Sequence, residues 1–307
     1  MRVVLILLAL AAVGVAVSLT LRRAEPPPLP SDLQGTLVFI SDRTGIDAVF
    51  LRKLPNGPDL RLTHLGEPAK EPALSPDGQH VAFVAGGRIA VVAVATGDVR
   101  YLSLGVAAKD RAPDWFPDGN RLAIVSRPAL GENADLFELA ASGGAAESPR
   151  RRLLETASDE SEPVVSPDGE SIVFVREDNL HRLELKDGRV RKLTGGFHKT
   201  RGPRFLPSGR IVCLWSQDKQ FGIDVLDGDG KKRETLSQGS TFYRSLAPSP
   251  DGRYLAATYA FDLGFHPSEV VTRRKNQELR LLSARATPVV SLSEGWRYSN
   301  HSPAWGR

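Results

Sequence analysis

One phrase recurs through this chain. It reads "LSPDGQHVAFVA" from Leu74, "WFPDGNRLAIVS" from Trp115, "VSPDGESIVFVR" from Val165, "FLPSGRIVCLWS" from Phe205 and "PSPDGRYLAATY" from Pro248. The turn at its centre has a defined chemistry. Proline presets φ, aspartate bonds the backbone two residues on, and glycine supplies a positive φ. A run rich in valine, isoleucine and phenylalanine follows, which is strand composition. A second proline stands four residues before the turn proline, at Pro72, Pro113, Pro163 and Pro203, with Leu246 in the same slot and Pro303 near the end. The successive spacings are 41, 50, 40, 43 and 57 residues. Self-similarity at such a period is the mark of a solenoid or propeller.

Each unit has room for four strands. A third follows the phrase, as in "RIAVVAVA", "DLFELA", "NLHRLEL" and "GIDVLD", and a second turn leads to a fourth, as in "VRKLTGG". Four antiparallel strands repeated around an axis make propeller blades. The first unit, "GTLVFISDRTGIDAVFLRKL" from Gly35, lacks its first strand, and the last, "SPAWGR", is a first strand alone. Joined, they complete one blade and close the ring. The expected fold is therefore all-β, a six-bladed β-propeller over residues 35–307.

The N-terminus has a different character. Residues 3–21, "VVLILLALAAVGVAVSLTL", carry no charge and are followed by Arg22, Arg23 and the proline-rich "AEPPPLPSDL". Residues 1–23 read as a targeting segment and residues 24–34 as a stiff linker. Two readings of the segment stay open. A signal peptidase would find small residues at Ala16 and Ser18; an uncleaved helix of that length would span about 28 Å, enough for a bilayer core. Either places the bulk of the chain outside the cytoplasm, periplasmic or secreted, with the membrane touched only through this segment. The single cysteine, Cys213, excludes an intramolecular disulfide and a cysteine zinc site. A net charge of +4 with scattered basic residues does not call for nucleic acid. The runs Arg150–Arg152 and Arg273–Lys275 read as solvated loop charge.

"SPDG" after "EP", the run "SDRTGIDAVFL" at 41–51 and the blade endings "LRLTHL" and "VRKLTGG" resemble the TolB-like β-propeller repeats. The resemblance implies a periplasmic protein that binds partner proteins at the cell envelope. The separate N-terminal α/β domain of TolB has no counterpart here, so interactions that depend on it do not carry over. Related propellers accompany prolyl-oligopeptidase-type hydrolases, but no Gly-x-Ser-x-Gly occurs, and the chain ends where such a domain would begin. Others resemble sugar lyases with a histidine-rich metal site.

Sequence signals of catalysis are few. "DGDG" at 227–230 lacks the remaining ligands of a calcium loop, with Gln238 where a glutamate belongs, and reads as a turn. His64, His198 and His301 all fall between the outer strand of one unit and the inner strand of the next, but at different repeat positions, which argues against a shared metal ion. A better-aligned set stands two residues before the proline slot: Lys70, Arg111, Arg201, Arg244 and His301, with Ser161 in the fourth unit. These five should ring the channel mouth and focus a positive potential on it. Glu71, Asp110, Glu160 and Glu162 would partly balance them. Asp114 and Arg204 read either as a buried pair or as channel-lining groups. The long sixth-unit loop adds Phe261, Phe265 and His266 as contacts. The expectation is a non-catalytic binding propeller, without cofactor, whose partner is an envelope protein or an anionic ligand. The competing expectation is a lyase or hydrolase acting on an acidic glycan.

Overall fold

The computed structural model describes residues 28–103, 109–127, 132–142, 150–196, 198–260, 277–283, 288–292 and 300–306. Phe261, Phe265, His266, Arg273–Lys275 and the N-terminal hydrophobic segment lie outside them. No helix among the described residues is long and apolar enough to cross a membrane.

Strands are numbered β1–β24 in chain order, and they form six four-stranded antiparallel sheets. The inner strands are β4 (Ala69–Leu74), β8 (Lys109–Trp115), β12 (Glu160–Val165), β16 (Lys199–Phe205), β20 (Tyr243–Pro248) and β24 (Asn300–Gly306). The last of these pairs with β1 (Gly35–Ser41), so the C-terminal strand completes the first blade, as the incomplete end units predict. Gly35 makes this closure possible. A Cβ there would stand 2.5 Å from the Gly306 carbonyl oxygen and 2.7 Å from Trp305 Nε1, and its φ is +109°. Trp305 Nε1 then donates to the Gln34 carbonyl at 3.2 Å. Asp32 accepts from Arg253 Nη1 at 2.6 Å and from the Tyr254 hydroxyl at 3.1 Å, and Leu33 is buried, so the chain enters β1 tied to the sixth blade.

Among the described residues the core consists of six apolar clusters. Each sits between two consecutive blades, and the alternation of the middle strands feeds two of them at once. In β5 (His80–Ala85), Val81, Phe83 and Ala85 pack toward the first blade, while Ala82 and Val84 pack toward Trp115, Leu122 and Ile124 of the third. The repeated turn is an internally bonded unit. Ser166 Oγ donates to Asp168 Oδ1 at 2.5 Å and accepts from Ser171 N–H at 3.0 Å; Ser75 and Ser249 repeat the arrangement. A second repeated device pins the outer strands, where a threonine or serine hydroxyl accepts the N–H of a third strand: Thr63 from Val49, Ser103 from Ile89 and Thr194 from Leu180.

Arg150–Arg152 is not a loop. It opens β11 (Arg150–Leu154), where Arg150 pairs with buried Asp110 at 3.2 Å, Arg151 with Glu138 at 3.0 Å and Arg152 with Glu155 at 2.6 Å. The acids that recruit Arg150 and Arg151 come from other strands of the blade, out of reach of a local reading.

Candidate binding site at the channel mouth

The proline four residues before each turn proline marks a β-bulge. In β4, Lys70 pairs with Val84 and Ala73 with Ala82, so Glu71 and Pro72 oppose one residue. Proline has no N–H to donate and suits such a place. The residue before it adopts a left-handed backbone: φ is +51° at Glu71 and Ala112, +52° at Glu162 and Ser302, and +59° at Gly202. The sixth blade departs. Leu246 keeps its N–H and pairs with Ala257, Ser245 pairs with Thr258, and the bulge falls on Arg244 instead.

These bulges surround a cavity of about 430 Å³ on the axis. Glu71, Ala112, Glu162, Gly202, Arg244, Ser245 and Ser302 stand in its wall at the start of the inner strands. Three residues further on, about 10 Å along each strand, Leu74, Val165, Phe205, Pro248 and Trp305 form an apolar floor. Trp115, their counterpart in the third blade, is buried and donates from Nε1 to the Ala73 carbonyl at 3.0 Å.

Charge in the wall is mixed. Glu71 and Glu162 bridge consecutive blades, Glu71 accepting from Ala112 N–H at 2.6 Å and Glu162 from Gly202 N–H at 2.5 Å. Asp114 and Arg204 both line the cavity, which favours the channel-lining reading over the buried pair. Asp114 accepts from Val165 N–H at 2.7 Å, and Arg204 Nη1 donates to the Pro203 carbonyl at 2.8 Å. Burial pushes the Asp114 carboxyl up to about 6, against the opposing pull of Val165 N–H and the Arg204 charge.

Lys70, Arg111, Arg201 and His301 pair at equivalent strand positions and Arg244 falls on its bulge, and the five have different surroundings. Arg244 is exposed and is the one that stands in the cavity wall. Lys70 is exposed on β4. Arg111 donates to the Glu160 carbonyl at 3.4 Å. His301 Nδ1 lies 3.0 Å from Ser302 Oγ, and its Nε2 lies 3.9 Å from buried Asp47. Arg201 and Arg244 both lie against Phe242, with guanidinium carbons 5.0 and 5.7 Å from its centroid. Phe221 of β18 (Gln220–Leu226) meets Phe242 edge-on at 5.0 Å. The acids expected to balance the rim are engaged elsewhere. Among the described residues none of the four forms an ion pair with a rim cation: Glu71 and Glu162 cap backbone, Asp110 bonds Ser126 and Arg150, and Glu160 bonds Thr156.

The structure does not bring the histidines into one cluster. His64 and His198 are exposed, and His198 packs edge-on against Trp215 at 4.9 Å. No group of three or more potential metal-ligating side chains occurs among the described residues. At 227–230 the Asp227 carboxylate accepts from Asp229 and Lys231 N–H at 3.0 and 2.9 Å and from Arg233, as a turn would have it. The sequence reading missed the bulges, the Phe242 platform and the inward step of Arg244. Leu246 in place of proline was the signal for the last.

No family model matches the chain. The TolB homologue of Chlorobium chlorochromatii is 28% identical over 145 residues, 45% of this chain and 30% of that protein. An uncharacterized peptidase, YuxL, of Bacillus subtilis is 28% identical over 145 residues, 47% of this chain and 20% of that protein. The chain thus matches less than a third of the length of either relative. Among solved structures, TolB from Acinetobacter baumannii superposes with a TM-score of 0.70 at 17% identity, covering 90% of this chain and 68% of that one. What that structure shares with this chain is the fold, and the chain is a six-bladed β-propeller of TolB-like fold.

Proposed function

We propose that the protein is a non-catalytic binding propeller acting outside the cytoplasm, which presents the mouth of its central channel to a segment of a partner protein. The observation that carries this reading is the cavity itself. It is preformed by six inner strands, each pinned in its sheet, so a ligand meets a rigid surface and little ordering cost falls on the propeller. Its wall combines guanidinium and carboxylate groups over an apolar floor, the mixture that peptide recognition uses. The TolB-like fold supports a scaffold role, and the uncharged residues 3–21 support export from the cytoplasm. The basic groups at positions 70, 111, 201, 244 and 301 give the mouth its preference for an anionic segment.

Site-specific photocrosslinking in the native host tests it. Benzoylphenylalanine replaces Ser245 in the cavity wall or, separately, Leu60, an exposed residue on an outer strand. A partner captured from position 245, and lost on adding Arg111→Glu, Arg201→Glu and Arg244→Glu, is the expected result. Capture from position 60 alone would move the interface to the blade edges and defeat the reading.

A further inference from the structure

Most of the described arginines have an acidic partner: Arg43 and Arg52 share Asp59, Arg121 takes Asp118 and Glu138, and Arg253 takes Asp32 and Asp251. Arg201 and Arg244 do not. Among the described residues no carboxylate lies within 4.0 Å of either, yet both guanidinium groups sit within 6 Å of the centroid of the same phenylalanine, Phe242. Two like charges held at one ring repel each other. The ring attracts each of them, but it does not neutralise the pair.

Two other blade junctions show how a carboxylate can sit at such a place. Between the second and third blades, and between the fourth and fifth, a carboxylate from the bulge residue of one blade reaches the bulge N–H of the next: Glu71 to Ala112, and Glu162 to Gly202. At the sixth-to-first junction the Thr258 hydroxyl accepts from Ser302 N–H at 3.1 Å. Between the fifth and sixth blades the bulge residue is Gly202, which has no side chain to offer. At that junction stand the two guanidinium groups without an acid, and Arg244 opens into the cavity.

We infer that the junction of the fifth and sixth blades is a carboxylate-binding subsite, formed by Arg201 and Arg244 over Phe242, and that it takes a carboxylate of an extended peptide. The proposal rests on the channel-mouth reading and gives it a specific anchor. A guanidinium donates in its plane to carboxylate oxygens and can keep an aromatic contact while it does so. The half-buried edges of Phe221 and Phe242 would cover an apolar side chain next to that carboxylate. A peptide fits better than a polyanion, because the channel beyond carries acids of its own, Asp114 and Glu162, which repeated negative charge would meet.

The test uses the full chain and a fluorescein-labelled hexapeptide, Ala-Ala-Ala-Ala-Glu-Phe, with a free C-terminal carboxylate. Its counterpart carries Gln and a C-terminal amide. Fluorescence anisotropy should show binding of the acidic peptide, with affinity lost about tenfold in each of Arg201→Gln and Arg244→Gln. The amide peptide should bind poorly to every form, and Arg210→Gln, on an exposed turn, should match the wild type. Gly202→Glu is the decisive variant. The φ of +59° there is close to the +51° and +52° that Glu71 and Glu162 adopt, and a Cβ would meet the flexible Leu214 side chain, Cδ1 at 3.3 Å and Cγ at 3.5 Å. It supplies a carboxylate like those of Glu71 and Glu162 at two other junctions, so it should fill the subsite from within and abolish peptide binding. Should that variant not fold, the two Arg→Gln variants decide alone. Equal binding of acidic and amide peptides, or unchanged affinity in the arginine variants, would overturn the proposal. Tighter competition by trigalacturonate than by unlabelled peptide would overturn the peptide assignment. If crosslinking from position 245 succeeds while the arginine variants bind as the wild type does, the mouth reading stands and the subsite falls. If both fail, both fall.

Discussion

Glu160 gives the sharpest prediction about stability. It opens β12, its side chain is fully buried, and Oε1 accepts from the Thr156 hydroxyl at 2.6 Å. Among the described residues Oε2 has no hydrogen-bond partner, and Arg176 Nη1 stays 3.9 Å from Oε1. Burial and the neighbouring Asp135 carboxylate push the Glu160 carboxyl up to about 7, from an ordinary 4.5. The folded state therefore holds a proton that the unfolded chain releases. Between pH 4.5 and 7 stability falls as pH rises, and the full contribution is present only below the lower value. The span between the two values corresponds to about 3 kcal/mol. Glu160→Gln fixes the neutral form in nearly the same shape. Urea denaturation of both proteins should give equal stabilities near pH 4.5 and a gap that opens with pH, the variant ahead by up to about 3 kcal/mol at pH 8. In thermal unfolding that is about 6 °C or more for a domain of this size. Other groups, Asp114 among them, titrate in the same window, so the difference between the two proteins is the quantity to read. A gap that stays constant with pH, or a variant less stable at pH 8, would refute the reasoning.

Two further substitutions probe the ring. Gly35→Ala forces a Cβ against the Gly306 carbonyl and Trp305 at a φ of +109°, so the closing strand must shift; thermal unfolding should fall by several degrees, and an unchanged midpoint would mean that closure does not depend on this contact. Ser75→Ala, Ser166→Ala and Ser249→Ala each remove a hydroxyl bonded within its turn. Each should cost about 1 kcal/mol, and the triple variant should show the sum by urea denaturation because the turns belong to different blades; a triple cost no greater than a single one would show that the hydroxyls act through something other than their own turns.

The architecture was legible because its information is local and repeated. Pro-Asp-Gly names a turn wherever it stands, and the valine-rich run after it names a strand. Five full registrations of one grammar, with an incomplete unit at each end, leave little freedom in blade number or closure. The site was less legible because it depends on the ring. Lys70, Arg111, Arg201, Arg244 and His301 align in sequence, but what each meets is set by the next blade. Arg111 finds the Glu160 carbonyl, His301 finds Ser302 and Asp47, and Arg201 finds a phenylalanine that begins the following blade. Arg150–Arg152 failed as a loop for the same reason. Asp110 and Glu138, which hold the first two, lie on separate strands of the third blade.

The most informative residue at the mouth is one that breaks the pattern. Proline in the inner strand removes a ladder donor, and a bulge forms where pairing has already been lost. Five blades follow that rule and turn a left-handed residue toward the axis. Leu246 retains its N–H, the ladder continues through it, and the bulge moves to Arg244. A difference of one donor in the backbone thus places a guanidinium in the channel wall, where the other blades set Glu71, Ala112, Glu162, Gly202 and Ser302. The asymmetry a ligand would feel arises from pairing in the sheet, and the charge at the surface follows from it. A repeat protein can in this way acquire a directional site without departing from its repeat anywhere else.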